Sequence, residues 1–543
     1  METVPSPDPS SAQTTPTLEN NSTFSRHKRH PSSTTFASLY EDPWDKQCVL
    51  SLDGGGIRGY SSLIILRELM EKVKTIETRG LSGRAKEDHS SYDPHTYIPC
   101  IHNTEGVNKT IGAQTGHMSC GSSCRYLPAH YFDYVGGTST GGLISIMLGR
   151  LRMSVEDCMR EYEKLSNDIF GHPRLASVKG PVPWLRDKYN GETIQKAVED
   201  VISRRMSPEE RKAGAGTFNS PPGLCRTAVF AYSSKISNSM SEYSSTRQEK
   251  RAVDSEDSAP YIFRSYDHWA SSPPAINERN PGFAHNVAIW EAARATTAAP
   301  LYFDPIKIGN RKFGDGGFGN NNPAEEMMAE VSSMNGSDLS SIALLVSVGT
   351  GEIPISRLED GLLQKYIAYF NAARKLASDA ESAHMRLIGW QRNAGLPYHR
   401  FNVPLGTGLE KIKLDEWKKT PKWYQRHHES TIETIRKATE EYCARDDIRQ
   451  HLEEVADILV QHRRSRRTHE LWPLVSRGEQ YRCTFDKCRM CQHVVPRKED
   501  LEWHLQMKHG LKGGKRMEWF VQQGLCPPKE SSKLTRVDGS EGG

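Results

Sequence analysis

The chain has 543 residues, 36% of them hydrophobic, and its 71 Lys and Arg against 67 Asp and Glu give a formal net charge of +4. No run of side chains approaches the roughly 20 apolar residues that a membrane-spanning helix needs, which excludes an integral membrane protein. The charge is uneven, because residues 461–543 hold 17 basic and 10 acidic side chains, a net +7, whereas the preceding 460 residues sum to −3. This asymmetry indicates a basic module appended to a near-neutral body.

The N-terminal segment has the composition of a disordered tail. Its first 40 residues contain 15 Ser and Thr and five Pro, with few large apolar side chains. Such a stretch cannot bury enough apolar surface to offset the entropy lost on ordering. It also lacks the charged and apolar regions of a secretory signal. We therefore expect a disordered tail over 1–43 and an intracellular location, cytoplasmic or at a membrane surface, with the nucleus also open.

A strand, a glycine loop and a helix are predicted next. The strand pattern at 46–52 is followed by Asp53–Gly59 and by a helical pattern at 63–70. The loop fits G-x-G-x-x-G, the dinucleotide-binding template, but a lone match is weak. Its amides could instead form a nest that stabilises developing negative charge. A tight turn without a catalytic role is the third interpretation.

The same order of elements recurs around a serine. A strand pattern at 131–135 precedes a glycine-rich turn and a helical pattern at 143–151. Within the turn, Gly137–Gly141 fits G-x-S-x-G, the nucleophile elbow, which places a serine at the tip of a strand. Ser139 is therefore the candidate nucleophile.

Alternating strands and helices continue to residue 350. This alternation predicts an α/β fold with a mostly parallel central sheet flanked by helices on both faces. Beyond residue 350 the patterns are helical. The further predicted strands are 226–232, 261–265 and 342–348, and the predicted helices are 194–202, 286–297, 324–333, 362–378 and 431–462.

A serine nucleophile needs a base to accept its proton, and the sequence offers two. His285 precedes a predicted helix and would suit a conventional triad. Asp315 begins an Asp-Gly-Gly run at a strand end, where glycines let one loop approach another closely. The residues alone leave both bases open.

Four elements in chain order resemble the patatin-like phospholipase family. They are the glycine loop 53–59, the elbow 137–141, the stretch Glu291–Phe303 and the run Asp315–Gly317. The resemblance implies an α/β/α catalytic unit of a lipid acyl hydrolase, to which the segment 398–417 would still belong.

The family resemblance also implies roles for particular residues. Ser139 would be the nucleophile and Asp315 the proton acceptor of a dyad without histidine, acting on membrane or micellar lipid with no cofactor for catalysis. Arg58 would steady the glycine loop or bind an anionic head group. The oxyanion hole would be formed by the amides of Gly54, Gly55 and Gly56.

The C-terminal module contains the spacing of a two-cysteine, two-histidine zinc finger, Cys488-x2-Cys491-x12-His504-x4-His509. This spacing predicts a structural Zn²⁺. Cys483 precedes the pattern and follows a tyrosine at the offset usual for the first ligand, so it could replace one of the two later cysteines.

The basic module could bind an anionic partner, whether lipid, nucleic acid or protein. Its run His462–Arg467 is either such a site or a solvated helix end. A single finger reads only about three base pairs. The alternative function is thus a nucleic-acid- or protein-binding regulator with a vestigial hydrolase body. For the hydrolase, we expect removal of 461–543 to leave ester hydrolysis largely intact.

The predicted organisation has five parts. In chain order these are a tail (1–43), a patatin-like catalytic domain (44–420), a helical extension with the basic run (421–480), a zinc finger (481–512) and a C-terminal tail (513–543).

Overall fold

The computed structural model divides the chain into two compact units, Met1–Asp42 and Pro43–Gly543, and the second contains the elements below. The predicted tail up to residue 41 and the helix predicted at 362–378 lie outside the described residues. The structure describes 42–79, 126–171, 189–205, 216–220, 223–235, 260–268, 284–299, 302–317, 319–352, 380–418, 429–467, 469–477, 480–485, 494–495 and 498–526.

An eight-stranded sheet forms the centre of the second unit. Its strands are β1 Gln47–Leu52, β2 Tyr134–Thr138, β3 Arg226–Lys235, β4 Pro260–Arg264, β5 Ile306–Ile308, β6 Arg311–Asp315, β7 Ile342–Val348 and β8 Tyr398–Phe401. They follow the order β5-β6-β3-β2-β1-β7-β8, with β4 also paired to β3. All six residues of β1 are buried, as a strand covered on both faces requires.

The sheet is mixed, which corrects the prediction of a mostly parallel one. The pairs β1–β2, β2–β3, β1–β7 and β7–β8 are parallel. The pairs β3–β4, β3–β6 and β5–β6 are antiparallel. Antiparallel strands can be joined by very short turns, and β5 and β6 are separated by two residues only. Strands β5 and β8 have only three and four residues, too few for a clear alternation of side chains, and were missed, whereas only the end of β6, at Asp315, was expected.

Helices cover both faces of the sheet, in agreement with the predicted layers. Leu50 and Leu52 belong to a core shared with most of the helices, whereas Val49 and Leu345 belong to a second core with α6 and the helical segment 380–394. The helices are α1 Gly59–Thr78, α2 Thr140–Ser145, α3 Val155–Phe170, α4 Gly191–Arg205, α5 Ile289–Thr296, α6 Ala324–Met334, α7 Thr431–Cys443, α8 Asp446–Arg466 and α9 Trp472–Arg477.

The helix predicted at 431–462 is two helices, α7 and α8, separated by two residues. Both contact α1, so this extension packs directly on the catalytic body. Among the described residues, no helix combines the length and the apolar character that crossing a bilayer requires.

The basic run at the end of α8 is largely built into the body. The Arg463 guanidinium lies 2.7 Å from the Glu77 carboxylate, and Arg466 lies 2.5 Å from that of Asp133. The side chains of both arginines are 3% exposed. Burial raises the pKa of Asp133, but the neighbouring Arg466 and His462 side chains together outweigh burial, so the pKa of Asp133 is lowered. These two arginines are therefore neither a solvated helix end nor available to an anionic partner, which corrects both interpretations for them.

The C-terminal module is a small unit of three strands and two helices. The strands are β9 Gln480–Arg482, β10 Val494–Val495 and β11 Leu525–Cys526, in the order β10-β9-β11, and the helices are α10 Lys498–His509 and α11 Lys515–Gly524. Leu501 and Leu505 of α10 pack with Met517 and Val521 of α11 in its core. Because β11 pairs with β9, the unit continues to Cys526, beyond residue 512, where the predicted finger ends.

Candidate active site

Ser139 lies at a sharp turn between β2 and α2, with φ 54° and ψ −122°. Such a backbone costs on the order of 1–3 kcal/mol in a residue other than glycine, so its surroundings must hold it. A Cβ built on Gly137 would lie 2.3 Å from the Gly141 carbonyl oxygen, and one on Gly141 would lie 2.3 Å from that of Leu52. Only glycines fit at these two positions. They allow the turn that presents the half-buried serine at the strand end.

Asp315 is brought to the serine by the register of the sheet. Strand β3 lies between β2 and β6, with Phe230 opposite Thr138 and the next residue, Ala231, opposite Asp315. The ends of β2 and β6 therefore meet. The Ser139 hydroxyl donates a hydrogen bond of 2.6 Å to Asp315 Oδ2.

The Asp315 carboxyl group is buried and has a perturbed pKa. Asp315 is 6% exposed. Burial raises the pKa of Asp315 to about 6, although the hydrogen bonds from the Ser139 hydroxyl and the Gly317 amide lower it. The Gly317 N–H donates to Oδ1 at 2.8 Å, which leaves Oδ2 facing the serine. Near neutral pH this carboxylate is ionised and able to accept a proton.

Thr296 connects the serine to the neighbouring strand. The Ser139 N–H donates to Thr296 Oγ1 at 2.7 Å, and the Thr296 hydroxyl donates to the Phe230 carbonyl oxygen at 2.6 Å. The threonine thus fixes the backbone of the strained residue. Thr296 lies within the stretch Glu291–Phe303 that resembles the family, but no local pattern gave it a part in the site.

The glycine loop lies against the serine. A Cβ on Gly54 would be 3.1 Å from the Ser139 Cβ. The Gly54 N–H donates to the Asn321 carbonyl oxygen at 3.0 Å, and the Gly55 N–H donates to Thr140 Oγ1 at 3.1 Å. Two of the three amides predicted for the oxyanion hole therefore already have acceptors within the protein.

Gly56 differs from the two glycines before it. Its φ is +55°, and a Cβ there would lie 2.0 Å from the Leu414 carbonyl oxygen, so only glycine fits. Its carbonyl oxygen accepts a hydrogen bond of 2.6 Å from the Tyr162 hydroxyl. Within the described part of the chain its N–H has no acceptor, and the residue is partly exposed.

Two arginines lie at the ends of the loop. Arg58 is 2% exposed, and its backbone N–H donates to the Gly55 carbonyl oxygen at 3.1 Å. On the other side, Arg400 of β8 forms a buried ion pair of 2.7 Å with Asp53. Burial opposes the charged form of Arg400, but the Asp53 carboxylate outweighs it and raises the pKa of Arg400. Arg400 was missed because only the pairing of β8 with β7 brings it to the loop.

His285 does not contact the predicted dyad. One ring nitrogen lies 2.9 Å from the Tyr261 hydroxyl, and Nδ1 accepts a hydrogen bond of 3.1 Å from the Arg264 N–H. Burial, with the nearby Arg264 charge, lowers the pKa of His285 to about 4. Both ring nitrogens are thus engaged away from Ser139 and Asp315.

The predicted zinc ligands are placed in part. Cys483 Sγ lies 3.4 Å from His509 Nε2, which lies 3.3 Å from His504 Nε2. Cys488 and Cys491 lie outside the described residues. The structure therefore places the possible substitute cysteine, Cys483, beside the two histidines.

A serine on a strand–turn–helix elbow, hydrogen-bonded to a buried carboxylate beside a glycine loop, is the arrangement of a serine hydrolase site. Residues 112–328 match the family model described as patatin-like phospholipase, a range that contains both Ser139 and Asp315. The glycine loop lies before it.

The chain is also similar to curated phospholipases. Human calcium-independent phospholipase A2-gamma is 27% identical over 379 residues, which cover 68% of this chain and 36% of that protein. The 85/88 kDa calcium-independent phospholipase A2 of Rattus norvegicus is 28% identical over 312 residues, 52% of this chain and 32% of that protein. Intracellular phospholipase A2 of Caenorhabditis elegans is 26% identical over 297 residues, 51% of this chain and 23% of that protein.

The chain spans about a third or less of the length of these relatives. Together the comparisons support a patatin-like phospholipase domain in this chain. A solved structure, VipD from Legionella pneumophila, aligns with a TM-score of 0.30 at 12% identity over 75% of this chain and 67% of that one.

Proposed function

We propose that the protein is a serine lipid acyl hydrolase of the phospholipase A or lysophospholipase type. The observation that carries this proposal is the hydrogen bond of 2.6 Å from the Ser139 hydroxyl to the buried Asp315 carboxylate. The alternative, in which the hydrolase body is vestigial, is disfavoured. A strained serine beside a buried carboxylate costs free energy, and such strain is typical of functional sites.

In the proposed reaction, Asp315 Oδ2 accepts the proton of the Ser139 hydroxyl as Oγ attacks the acyl carbonyl carbon. The tetrahedral intermediate collapses, the C–O bond to the glycerol oxygen breaks, and that oxygen takes the proton from Asp315. The acyl group is then an ester of Ser139. A water molecule gives a proton to Asp315 and attacks this ester, which releases the fatty acid and returns the proton to Ser139.

Stabilisation of the oxyanion is assigned to a backbone N–H group of the glycine loop. The Gly56 N–H is the donor most able to reach substrate, because the N–H groups of Gly54 and Gly55 have protein acceptors. Gly54 and Gly55 then hold the loop against the serine, and the Gly55 amide can contribute only by leaving Thr140. Preorganised amides of this kind are effective because they need no reorganisation as charge develops.

Support of the loop is the proposed role of Arg58. Its side chain is 2% exposed, which favours holding the loop over binding a head group at the surface. The substrate would be presented at a membrane or micelle surface. An anionic partner of the C-terminal module remains a proposal that the buried Arg463 and Arg466 do not support.

Ser139→Ala is expected to abolish fatty acid release from fluorescent phospholipid and lysophospholipid micelles. Loss of about 10³-fold or more is the scale seen when a serine nucleophile is removed. The assay should compare substrates labelled at each glycerol position, which also identifies the bond cleaved. Ser337→Ala is the matched control, because Ser337 also has a positive φ, of 62°, but is exposed and outside the site.

A fluorophosphonate probe gives a second readout of the same prediction. It should label the wild type and Ser337→Ala but not Ser139→Ala. If no substrate of the panel shows release that depends on Ser139, the hydrolase proposal fails.

A further inference from the structure

Three side chains of the C-terminal module point their ligand atoms at a common centre. Cys483 follows β9, and His504 and His509 lie on α10. The Sγ atom and the two Nε2 atoms all lie within 4.8 Å of one another. Two of their separations are shorter still, 3.4 Å from Cys483 to His509 and 3.3 Å from His509 to His504.

These separations are those of a tetrahedral zinc site. With Zn–N of about 2.0–2.1 Å and Zn–S of about 2.3 Å, tetrahedral angles place adjacent ligand atoms about 3.3–3.6 Å apart. Both measured distances agree with this range. A mixed set of thiolate and imidazole ligands also favours zinc over magnesium or calcium, which prefer oxygen.

Hydrogen bonding alone does not explain the contacts of His509. Its Nε2 faces both a sulfur and another imidazole nitrogen. A ring nitrogen has either one proton to donate or one lone pair to accept, so it cannot make an ordinary hydrogen bond to both neighbours at once. A cation between the three atoms satisfies all of them.

The surroundings are those of a closed structural site. Cys483 is 4% exposed and His504 is 6% exposed. The Phe485 ring stacks on His509 with centroids 4.2 Å apart, and Phe520 of α11 stacks on Phe485 at 4.6 Å. These two rings exclude water from one side of the cluster and hold the His509 imidazole in place.

We propose that Cys483, His504 and His509 are three of the four ligands of a structural Zn²⁺ that joins β9 to α10. Cys483 binds as the thiolate, so its proton is released to solvent. A tetrahedral ion then has a single vertex left. Therefore at most one of Cys488 and Cys491 can be a ligand, although the sequence spacing pairs both of them with the histidines.

The test is the zinc content of the purified full-length chain, measured by mass spectrometry of the metal, for the wild type and four single variants. We expect one zinc per wild-type chain and loss of zinc in Cys483→Ser. Of Cys488→Ser and Cys491→Ser, at least one should keep the wild-type ratio. Cys443→Ser, which changes a buried cysteine of the catalytic body, is the control and should also keep it.

The two later variants make the test independent of whether Cys483→Ser folds. Loss of zinc in both Cys488→Ser and Cys491→Ser would overturn the proposal in favour of the spacing-matched set. A wild-type ratio near zero would overturn the metal site itself. Replacing zinc by Co²⁺ adds a spectroscopic check, because a tetrahedral site with thiolate gives strong visible and near-ultraviolet bands, and these should weaken in Cys483→Ser.

Discussion

Replacing Asp315 with asparagine is expected to lower phospholipid turnover by about 10²–10⁴-fold, the contribution typical of a general base. The amide keeps the size of the carboxyl group and can still contact Ser139 and Gly317, so the fold should be preserved. It cannot, however, take the serine proton. The measurement is kcat/KM with the fluorescent phospholipid, beside thermal unfolding of both proteins.

His285→Ala is the control for this variant. Its ring nitrogens are engaged by Tyr261 and Arg264, so most of the activity should remain. If His285→Ala were as damaging as Asp315→Asn, with folding intact in both, a histidine-containing triad would replace the dyad.

The wild-type pH profile follows from the same carboxyl group. Because the pKa of Asp315 is raised to about 6, the carboxyl is protonated below that pH and cannot accept the serine proton. Activity should therefore fall as pH decreases through about 6, by about tenfold per unit at lower pH. The residual activity of Asp315→Asn should lack this limb. A limb that persists in the variant would assign the titration to another group.

Ser139 and Asp315 could be proposed from the sequence because their local motifs have direct geometric meaning. A serine flanked by glycines between a strand and a helix is typical of a nucleophile elbow, and Asp315 was found by its resemblance to a family motif. Thr296 and Arg400 were not found. Their roles depend on which strands are neighbours and in what register, and no local pattern encodes that.

The fold was predicted best where strands are long and buried. β7 matches its predicted bounds and β1 begins one residue after its predicted start, whereas the short antiparallel strand β5 carries no clear pattern. The zinc-finger spacing has a similar limit. It counts residues along the chain and does not show which ligand atoms lie close together in the fold. Cys483 is near the histidines because β9 lies beside α10.

The basic run shows how charge patterns mislead when the partners are distant in sequence. Arg463 contacts Glu77, and Arg466 contacts Asp133, at separations of several hundred residues. Nothing near the run reveals these partners, so its charges looked exposed. Their burial changes what should be expected of a truncated protein.

A chain ending at Val460 is expected to lose folding and activity, whereas one ending at Arg477 should keep hydrolysis of a soluble short-chain ester. The first deletion removes the buried arginines and leaves Glu77 and Asp133 as buried carboxylates without these cations. Removing one partner of a buried pair costs about 3–5 kcal/mol, and whole domains are stable by only about 5–15 kcal/mol. Ester hydrolysis and thermal unfolding of both truncated proteins measure the difference.

The chain that ends at Arg477 keeps the ion pairs of Arg463 with Glu77 and of Arg466 with Asp133. It retains α8 entire and also α9, whose carbonyl groups at Val475 and Ser476 accept hydrogen bonds of 3.0 Å and 2.8 Å from Arg152. Only the small C-terminal unit is lost. Removal of 461–543 is therefore no longer expected to leave ester hydrolysis intact. A truncation that begins after α9 is expected to do so.

Two point variants separate burial from charge in this prediction. Arg466→Ala should destabilise the protein by about 3–5 kcal/mol, because it leaves Asp133 buried without its cation. Arg467→Ala removes the same charge from an exposed position one residue later, and surface changes usually stay within about 0.5 kcal/mol. Equal unfolding midpoints for the two variants, or full activity in the chain ending at Val460, would show that the run is not part of the catalytic body. A midpoint lowered only in Arg466→Ala would mean that the basic run stabilises the fold, leaving the rest of the module to account for any binding to an anionic partner.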